Sequence, residues 1–466
     1  MTVAKLARLG GPPALSRQER VQGLGRWPEV RDEDVEAVVA VLRSAEEPYG
    51  FLHPEVIALQ QEFASAVNQP FCLAVSSGTA ALHLAIAALG LVPGDEVITP
   101  ALGYIASAAC ILHHNCIPVF VDIRPDTFNL DPAALEAAIT PRTRAILAVD
   151  LLGLPADYEA IRAIADRRGL AIIQDASHSQ GAQYKGRPAC GMGDVSAMSV
   201  MATKNLAAAG EGGLITTADE AIAARILGHA SMGMNLWGRA KEDLRRISFQ
   251  LGFNYRPTPT SVAFLRRQLA RLPHYQEARQ VRARMFTDCL AEIPFLRAPV
   301  VPAGLTHGWQ MYRVVVDPQP LGLDPAWAPY LRDAVVFLLR GEGGAVGFWE
   351  DEILPAMPVF QRGIGYGGGC PWSCRAEPRP DYSPARFPVA QHILDASFMT
   401  PVTRATHDLE FVHNQSKPYR KLADHTDIVV ELTRCIADAG GFAQWAGVSI
   451  REERALRDAK LDWESS

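Results

Sequence analysis

The stretch CLAVSSGTAALHLAIAALGLV, residues 72–92, decides the fold. Its length and apolar character come close to those of a membrane span. Ser76, Ser77, Gly78 and Thr79 break the run, however, and His83 interrupts its second half. The reading is therefore a short buried strand, a tight turn and a helix in a soluble protein. Such a turn presents free backbone N–H groups and the positive end of the helix dipole. It is either an anion site or an ordinary helix cap. In the first case Gly78 allows a phosphate to come close and the Thr79 hydroxyl donates to it.

The same alternation runs from about residue 70 to 220. Short apolar runs (CLAV, EVITP, IPVFVDI, AILAVDLLG, LAIIQD, VSAMSV, GGLITT) are separated by segments of helical spacing (TAALHLAIAALG, DPAALEAAI, DYEAIRAIADRRG). Strands apolar on both faces and joined by helices predict a mostly parallel, covered sheet. Sheets of this kind bind ligands beyond the carboxyl ends of their strands, where the polar residues of these runs fall. Residues 20–66 read as amphipathic helices, and 258–292 as a long basic helix with a kink expected at Pro273. Beyond about 293 the order changes to a strand in HGWQMYRVVVD and a helix in AWAPYLRDAVVFLLRGEGG, closed by the helix HTDIVVELTRCIADAG. The expectation is an α/β protein in two parts. Residues 1–285 would form the large domain, and 286–466 a smaller α+β domain with an atypical loop around 361–390. The tail REERALRDAKLDWESS reads as a charged helix, solvated or at a subunit contact.

Composition narrows the function. The formal charge of -6 and the lack of a dense basic cluster argue against a general nucleic-acid binder. The opening MTVAKLARLGGPPALSRQER lacks the apolar core of a signal peptide, and no membrane partner is expected. The cysteines (72, 110, 116, 190, 289, 370, 374, 435) lie mostly in apolar segments. They read as free core thiols in a reducing cytoplasm, not as a disulfide framework. CPWSC at 370–374 has no second ligand pair, so no metal site is expected. GIGYGGG at 363–369 does not sit between a strand and a helix, which weighs against a dinucleotide loop.

Two further stretches carry chemistry. In LAIIQDASHSQGA (170–182) an apolar strand ends on Asp175. A carboxylate there caps the next turn or pairs with a buried cation, such as a protonated pyridine nitrogen kept as an electron sink. His178, three residues on, would reach a ring substituent or serve as a structural histidine. In SVMATKNLAAAGEGG (199–213) Lys204 stands among small residues. A buried lysine loses basicity and becomes a nucleophile for Schiff-base chemistry, whereas a lysine on a surface loop does not. Ser199 precedes it at a spacing that lets its hydroxyl contact a phosphate. Anion turn, acid and lysine, in that order on one sheet, are the parts needed to hold pyridoxal phosphate.

Taken with SSGTAALHLAIAALGLVPGDEVITPALGYIASA, PVFVDIRPDTFNLDPAALEAAITPRTRAI, LPADYEAI and LGFNYRP, these stretches resemble the DegT/DnrJ/EryC1/StrS family of sugar and cyclitol aminotransferases. The likeness covers about 25–270 closely and the remainder loosely. It implies a fold-type I enzyme that uses pyridoxal 5'-phosphate. Lys204 would be the Schiff-base lysine and Asp175 the partner of the ring nitrogen. Gly78, Thr79 and Ser199 would hold the phosphate, Tyr104 would stack on the ring, and His178 would contact it from the Asp175 side. Asn254 would reach the phosphate of a neighbouring subunit, which implies a homodimer with shared active sites. Pro257 and Pro259 stand where the family usually begins a small-residue helix, and Gly103 where threonine is common.

The reaction so implied moves an amino group from glutamate or glutamine to a ketone on a sugar or cyclitol. Retention of Lys204 weighs against the family's dehydratase branch, which carries histidine there. RLGGPPA resembles the cyclitol branch of aminoglycoside pathways, and the Ala- and Arg-rich composition suits a high-GC, antibiotic-producing bacterium. Nucleotide-linked keto-sugars are the main alternative, with Arg375, Arg379 and Arg386 either binding a diphosphate or simply solvated. Elimination, cyclisation or decarboxylation of an amino acid on the same fold stays open, as does a non-catalytic partner subunit.

Overall fold

The computed structural model describes residues 5–44, 50–238, 247–375 and 377–447. The charged tail expected to be helical lies outside them. The runs that read as strands form one seven-stranded sheet. In chain order its strands are β1 (Phe71–Val75), β2 (Glu96–Pro100), β3 (Ile117–Val121), β4 (Thr143–Val149) and β5 (Ala171–Asp175). A short hairpin of β6 (Gln183–Tyr184) and β7 (Arg187–Pro188) follows, before β8 (Val195–Ser199) and β9 (Gly213–Thr217) complete the sheet. The spatial order is β1-β9-β8-β5-β4-β2-β3. Only β9 runs antiparallel to its neighbours. β2, β4 and β5 are buried almost throughout because helices cover both faces, which is why the strands read as unbroken apolar runs. The fold is α/β with a mostly parallel central sheet. The six co-directional strands end at one edge, and there the polar residues collect.

The helix Pro259–Leu290 leaves this layer and runs along both parts of the molecule. Pro259 occupies its first turn, where a missing N–H costs nothing, so the proline that departs from the family pattern still starts a helix. Pro273 lies inside it without dividing it into two elements. The C-terminal part holds β10 (Leu296–Arg297), β12 (Tyr312–Val316) and β13 (Ser397–Thr400) as an antiparallel sheet in the order β10-β12-β13. The intervening strand β11 (Leu305–Thr306) pairs with β6 instead.

The N-terminal segment does not stay with the large sheet. The buried Glu342 carboxylate accepts from the Ala7 amide (2.6 Å), the Ala14 amide (2.7 Å) and Lys421 Nζ (2.8 Å). The Asp408 amide in turn donates to the Gly23 carbonyl at 2.8 Å. Residues 6–23 therefore lie against helices of the C-terminal part.

The 361–390 stretch is a packed cover, not an open loop. Phe120 on the edge strand β3 meets the rings of Phe360 (5.0 Å), Tyr382 (5.4 Å) and Phe387 (6.4 Å). Tyr382 Oη donates to the Pro118 carbonyl at 2.8 Å, and the Asp122 carboxylate accepts from the Val389 and Ala390 amides. Covering an edge strand in this way hides groups that would otherwise pair with another chain. Cys370 and Cys374, expected as free thiols, are joined by a disulfide in this segment. Four residues apart on a tight turn, they are close enough to bond.

Candidate active site

A cavity of about 680 Å³ opens beyond the carboxyl ends of the sheet, between it and the C-terminal part. Gly78, Thr79, Tyr104, Asp175, His178, Ser199 and Lys204 all line it. Asn254 does not: it is exposed and bridged to Ser231.

The turn after β1 is a capped helix start. Ser77 caps the helix Gly78–Ala88, its Oγ accepting from the Ala80 amide at 3.1 Å. The cap leaves the first two amides of the helix, at Gly78 and Thr79, free of intrahelical partners, and both residues line the cavity. Gly78 also has a packing reason. A Cβ there would lie 2.5 Å from Ser199 Cβ and 2.7 Å from its Cα, so the glycine lets the helix start press against the end of β8. Gly213 serves the same packing, since a Cβ there would fall 2.2 Å from the Ser77 carbonyl oxygen.

Asp175 ends β5 buried, at 5% exposure. Ser107 Oγ donates to its Oδ2 at 2.7 Å, and the Ser177 amide donates to Oδ1 at 3.1 Å. Ser177 also accepts from the Ser199 amide at 2.9 Å, tying the ends of β5 and β8 together. His178 is buried, and its Nδ1 accepts from the Leu152 amide at 3.2 Å. The ring proton therefore sits on Nε2. Leu152 reaches this pose with φ at 59°, a left-handed conformation unusual for leucine and held by the turn around it. Burial, followed by the charge on Lys204 and by His307, holds the His178 pKa well below its ordinary value, so the ring stays neutral.

Lys204 is half-buried, and among the described residues no carboxylate pairs with its ammonium within 4 Å. Burial lowers its pKa to about 8, against the opposing pull of Asp175 and Glu211. Trp27 holds the lysine's backbone: its indole N–H donates to the Lys204 carbonyl at 3.0 Å.

Several wall residues carried no sequence signal. Trp349, from the AVGFWE segment, lies nearly parallel to Tyr104, with ring centres 6.4 Å apart at 17°. It also meets His178 edge-on at 5.3 Å. Tyr104 itself is 58% exposed. Phe348, Met311, Met399, Arg279 and Arg404 come from the C-terminal part or the long helix. Arg375, Arg379 and Arg386 lie elsewhere. Arg375 is buried against Glu96 at 3.1 Å, Arg379 donates to the Gln361 carbonyl, and Arg386 faces Asp381. Their proposed diphosphate contact is thus not made in this cavity.

The donor set fits pyridoxal phosphate: a capped helix start for the phosphate, a buried acid for the ring nitrogen, a neutral N–H donor and an amine of lowered basicity. Among the described residues no group of three or more His, Cys, Asp or Glu is placed to hold a metal ion, and no helix is long and apolar enough to cross a membrane.

Residues 19–324 match the sequence model of the DegT/DnrJ/EryC1/StrS aminotransferase family, and the chain belongs to that family. It is a pyridoxal phosphate-dependent aminotransferase. Solved structures agree. An aminotransferase from Psychrobacter cryohalolentis is 26% identical over 86% of this chain and 99% of its own, with a TM-score of 0.75. DesV of S. venezuelae is 29% identical over 89% of this chain and 99% of its own, at 0.72. DesI, solved in the presence of its TDP-sugar product, is 25% identical over 92% of this chain and 99% of its own, at 0.73.

Proposed function

We propose that the protein transfers the amino group of glutamine or glutamate to a ketone on a cyclitol or sugar ring in the biosynthesis of an aminoglycoside-type metabolite. The observation that carries this reading is the meeting of Lys204, Asp175, His178 and the Gly78–Thr79 helix start in one cavity walled by Trp27, Tyr104, Phe348 and Trp349. Aromatic faces of this kind suit the apolar face of a polyhydroxylated ring. The bound coenzyme supplies an electron sink for the donor's α-carbon.

In this reading Lys204 engages the coenzyme aldehyde and, once displaced, moves a proton to and from the substrate carbon. Its pKa of about 8 suits both directions of transfer near neutral pH. Asp175, held by Ser107 and Ser177, keeps the ring nitrogen protonated. His178 Nε2–H donates to the ring substituent on that side. Gly78, Thr79 and Ser199 hold the phosphate. The exposed Asn254 completes the phosphate site of a second copy, in a cytoplasmic homodimer with shared sites. A nucleotide-linked keto-sugar is the second reading, favoured by the similarity to DesI.

The test is a Lys204→Ala variant supplied with coenzyme, donor and either acceptor class. Loss of borohydride-fixed coenzyme and a rate lower by about 10³-fold or more are expected. Normal half-reactions in this variant would sink the assignment, and the better acceptor with the wild type decides between the two substrate classes.

A further inference from the structure

Arg279 is the odd residue of the cavity. It projects from the long helix and is only 3% exposed, yet it lines the cavity wall. Its Nη1 donates to two carbonyls, those of Trp309 (3.1 Å) and Thr403 (3.5 Å), while its buried Nε has no partner. Among the described residues no carboxylate pairs with it within 4 Å. Burial, and after it the cationic Arg404 and Arg282, pushes its pKa down to about 9. A buried guanidinium without a counter-charge is costly, and the fold has kept one at the rim of a substrate cavity.

One side chain links it to the backbone of Lys204. The guanidinium lies over the Trp27 ring, 5.0 Å from the centroid, and the edge of that indole donates to the Lys204 carbonyl at 3.0 Å. The cation and the Lys204 carbonyl therefore meet a single aromatic ring, one at its face and one at its edge. An α-amino acid carries its carboxylate one bond from the carbon that Lys204 must serve, so a counter-charge for that carboxylate belongs in this same cavity. A guanidinium is the side chain best shaped to take it.

We propose that Arg279 binds the α-carboxylate of the amino donor, with Trp27 fixing its place relative to Lys204. The assignment rests on Lys204 being the working amine. It makes Arg279 a donor-specificity residue and leaves the aromatic wall of Trp349, Phe348 and Tyr104 to the acceptor.

The experiment uses coenzyme-loaded wild type and R279Q. Calorimetric titration with glutarate, an unreactive dicarboxylate, should show R279Q binding about 10- to 100-fold more weakly. Equal affinity overturns the proposal. Single-turnover kinetics should show R279Q slowed in the donor half-reaction and within about twofold of wild type in the acceptor half-reaction. The reverse pattern would give the arginine to an anionic acceptor and overturn the assignment. Should R279Q fail to fold, R279K, which keeps the charge and loses the fork, takes its place in both measurements, and the wild type supplies a further check. Whichever of L-glutamate and L-glutamine it uses should outpace the matching α-carboxamide by about 100-fold, because a buried cation is left unpaired by the amide. Equal rates refute the proposal. A wild type that takes up no coenzyme would instead refute the function proposed above, which keeps the two failures apart.

Discussion

Gly78 and Ser199 stand so close that the start of one helix and the end of one strand touch backbone to backbone: a methyl group on residue 78 would come within 2.7 Å of Ser199 Cα. Both residues line the cavity, so their contact sets the spacing of its wall there. G78A should push the helix start away from β8, costing about 1–3 kcal/mol of stability. Coenzyme affinity should fall by about tenfold or more, as read by fluorescence titration. Unchanged affinity would mean that the helix start takes no part in holding the phosphate.

Ser107 is the side-chain donor to Asp175 Oδ2. S107A leaves that buried oxygen without its partner, at a cost of about 1–3 kcal/mol in thermal or chemical unfolding. The absorption maximum of the bound coenzyme should shift, and S107T should restore it. A spectrum indifferent to both substitutions would confine Ser107 to packing.

Lys204 titrates early. With its pKa lowered from 10.5 to about 8, the neutral amine is populated from mildly alkaline pH upward. Coenzyme capture by the stripped protein should rise through about pH 8 and then level off. Between that value and 10.5 the folded chain holds fewer protons than the unfolded one, so this residue also adds stability as pH rises through the window. A capture rate still climbing steadily to pH 10 would contradict the lowered pKa.

Acid should unfold the protein from the histidines first. Burial lowers His83 to about 4, and His307 and His407 to about 3, below the ordinary value of 6.5. Below pH 6.5 the unfolded chain takes up protons that these buried rings refuse. Stability is therefore complete above 6.5 and falls by up to about 1.4 kcal/mol per pH unit per ring as pH drops toward 4. Asp150 works the other way: burial raises its carboxyl to about 6, so it gains stability as pH falls through that value. The lowered rings, His178 among them, outnumber the raised carboxyls and leave a net loss, measurable as a falling denaturant midpoint from pH 7 to 5. H307N should flatten that slope.

Arg375 is the counter-charge of buried Glu96, whose other oxygen accepts from Thr140 Oγ1 at 2.5 Å. R375A should cost about 3–5 kcal/mol by leaving a buried carboxylate unpaired. Coenzyme and substrate affinity should stay as in the wild type. A selective rise in the KM of a nucleotide-linked substrate would instead bring this arginine back to the site.

Much of this was legible in the residues. The strands of the large sheet read correctly because both faces are buried, which turns each strand into an unbroken apolar run. Asp175 and Lys204 stood out because a charged residue at the end of such a run needs a reason. Trp349 and Arg279 gave no local sign, since their places in the cavity wall depend on the long helix and the C-terminal part folding against the sheet. Leu152 was equally silent: its left-handed backbone serves His178 across a turn, and leucine carries no preference for that conformation. The packing of the 361–390 loop was hidden for a different reason. Its glycines and prolines announce irregular backbone, but irregular backbone packs well when rings such as Phe360, Tyr382 and Phe387 surround a phenylalanine on an edge strand.

The N-terminal strap has a consequence for how the protein is made. Ala7 leaves the ribosome early, yet the carboxylate that anchors it is 335 residues further along the chain. Trp27 likewise waits for a lysine carbonyl 177 residues away. The cavity wall therefore closes only after residues as far along as Arg404 have been made, from segments that meet across long stretches of chain.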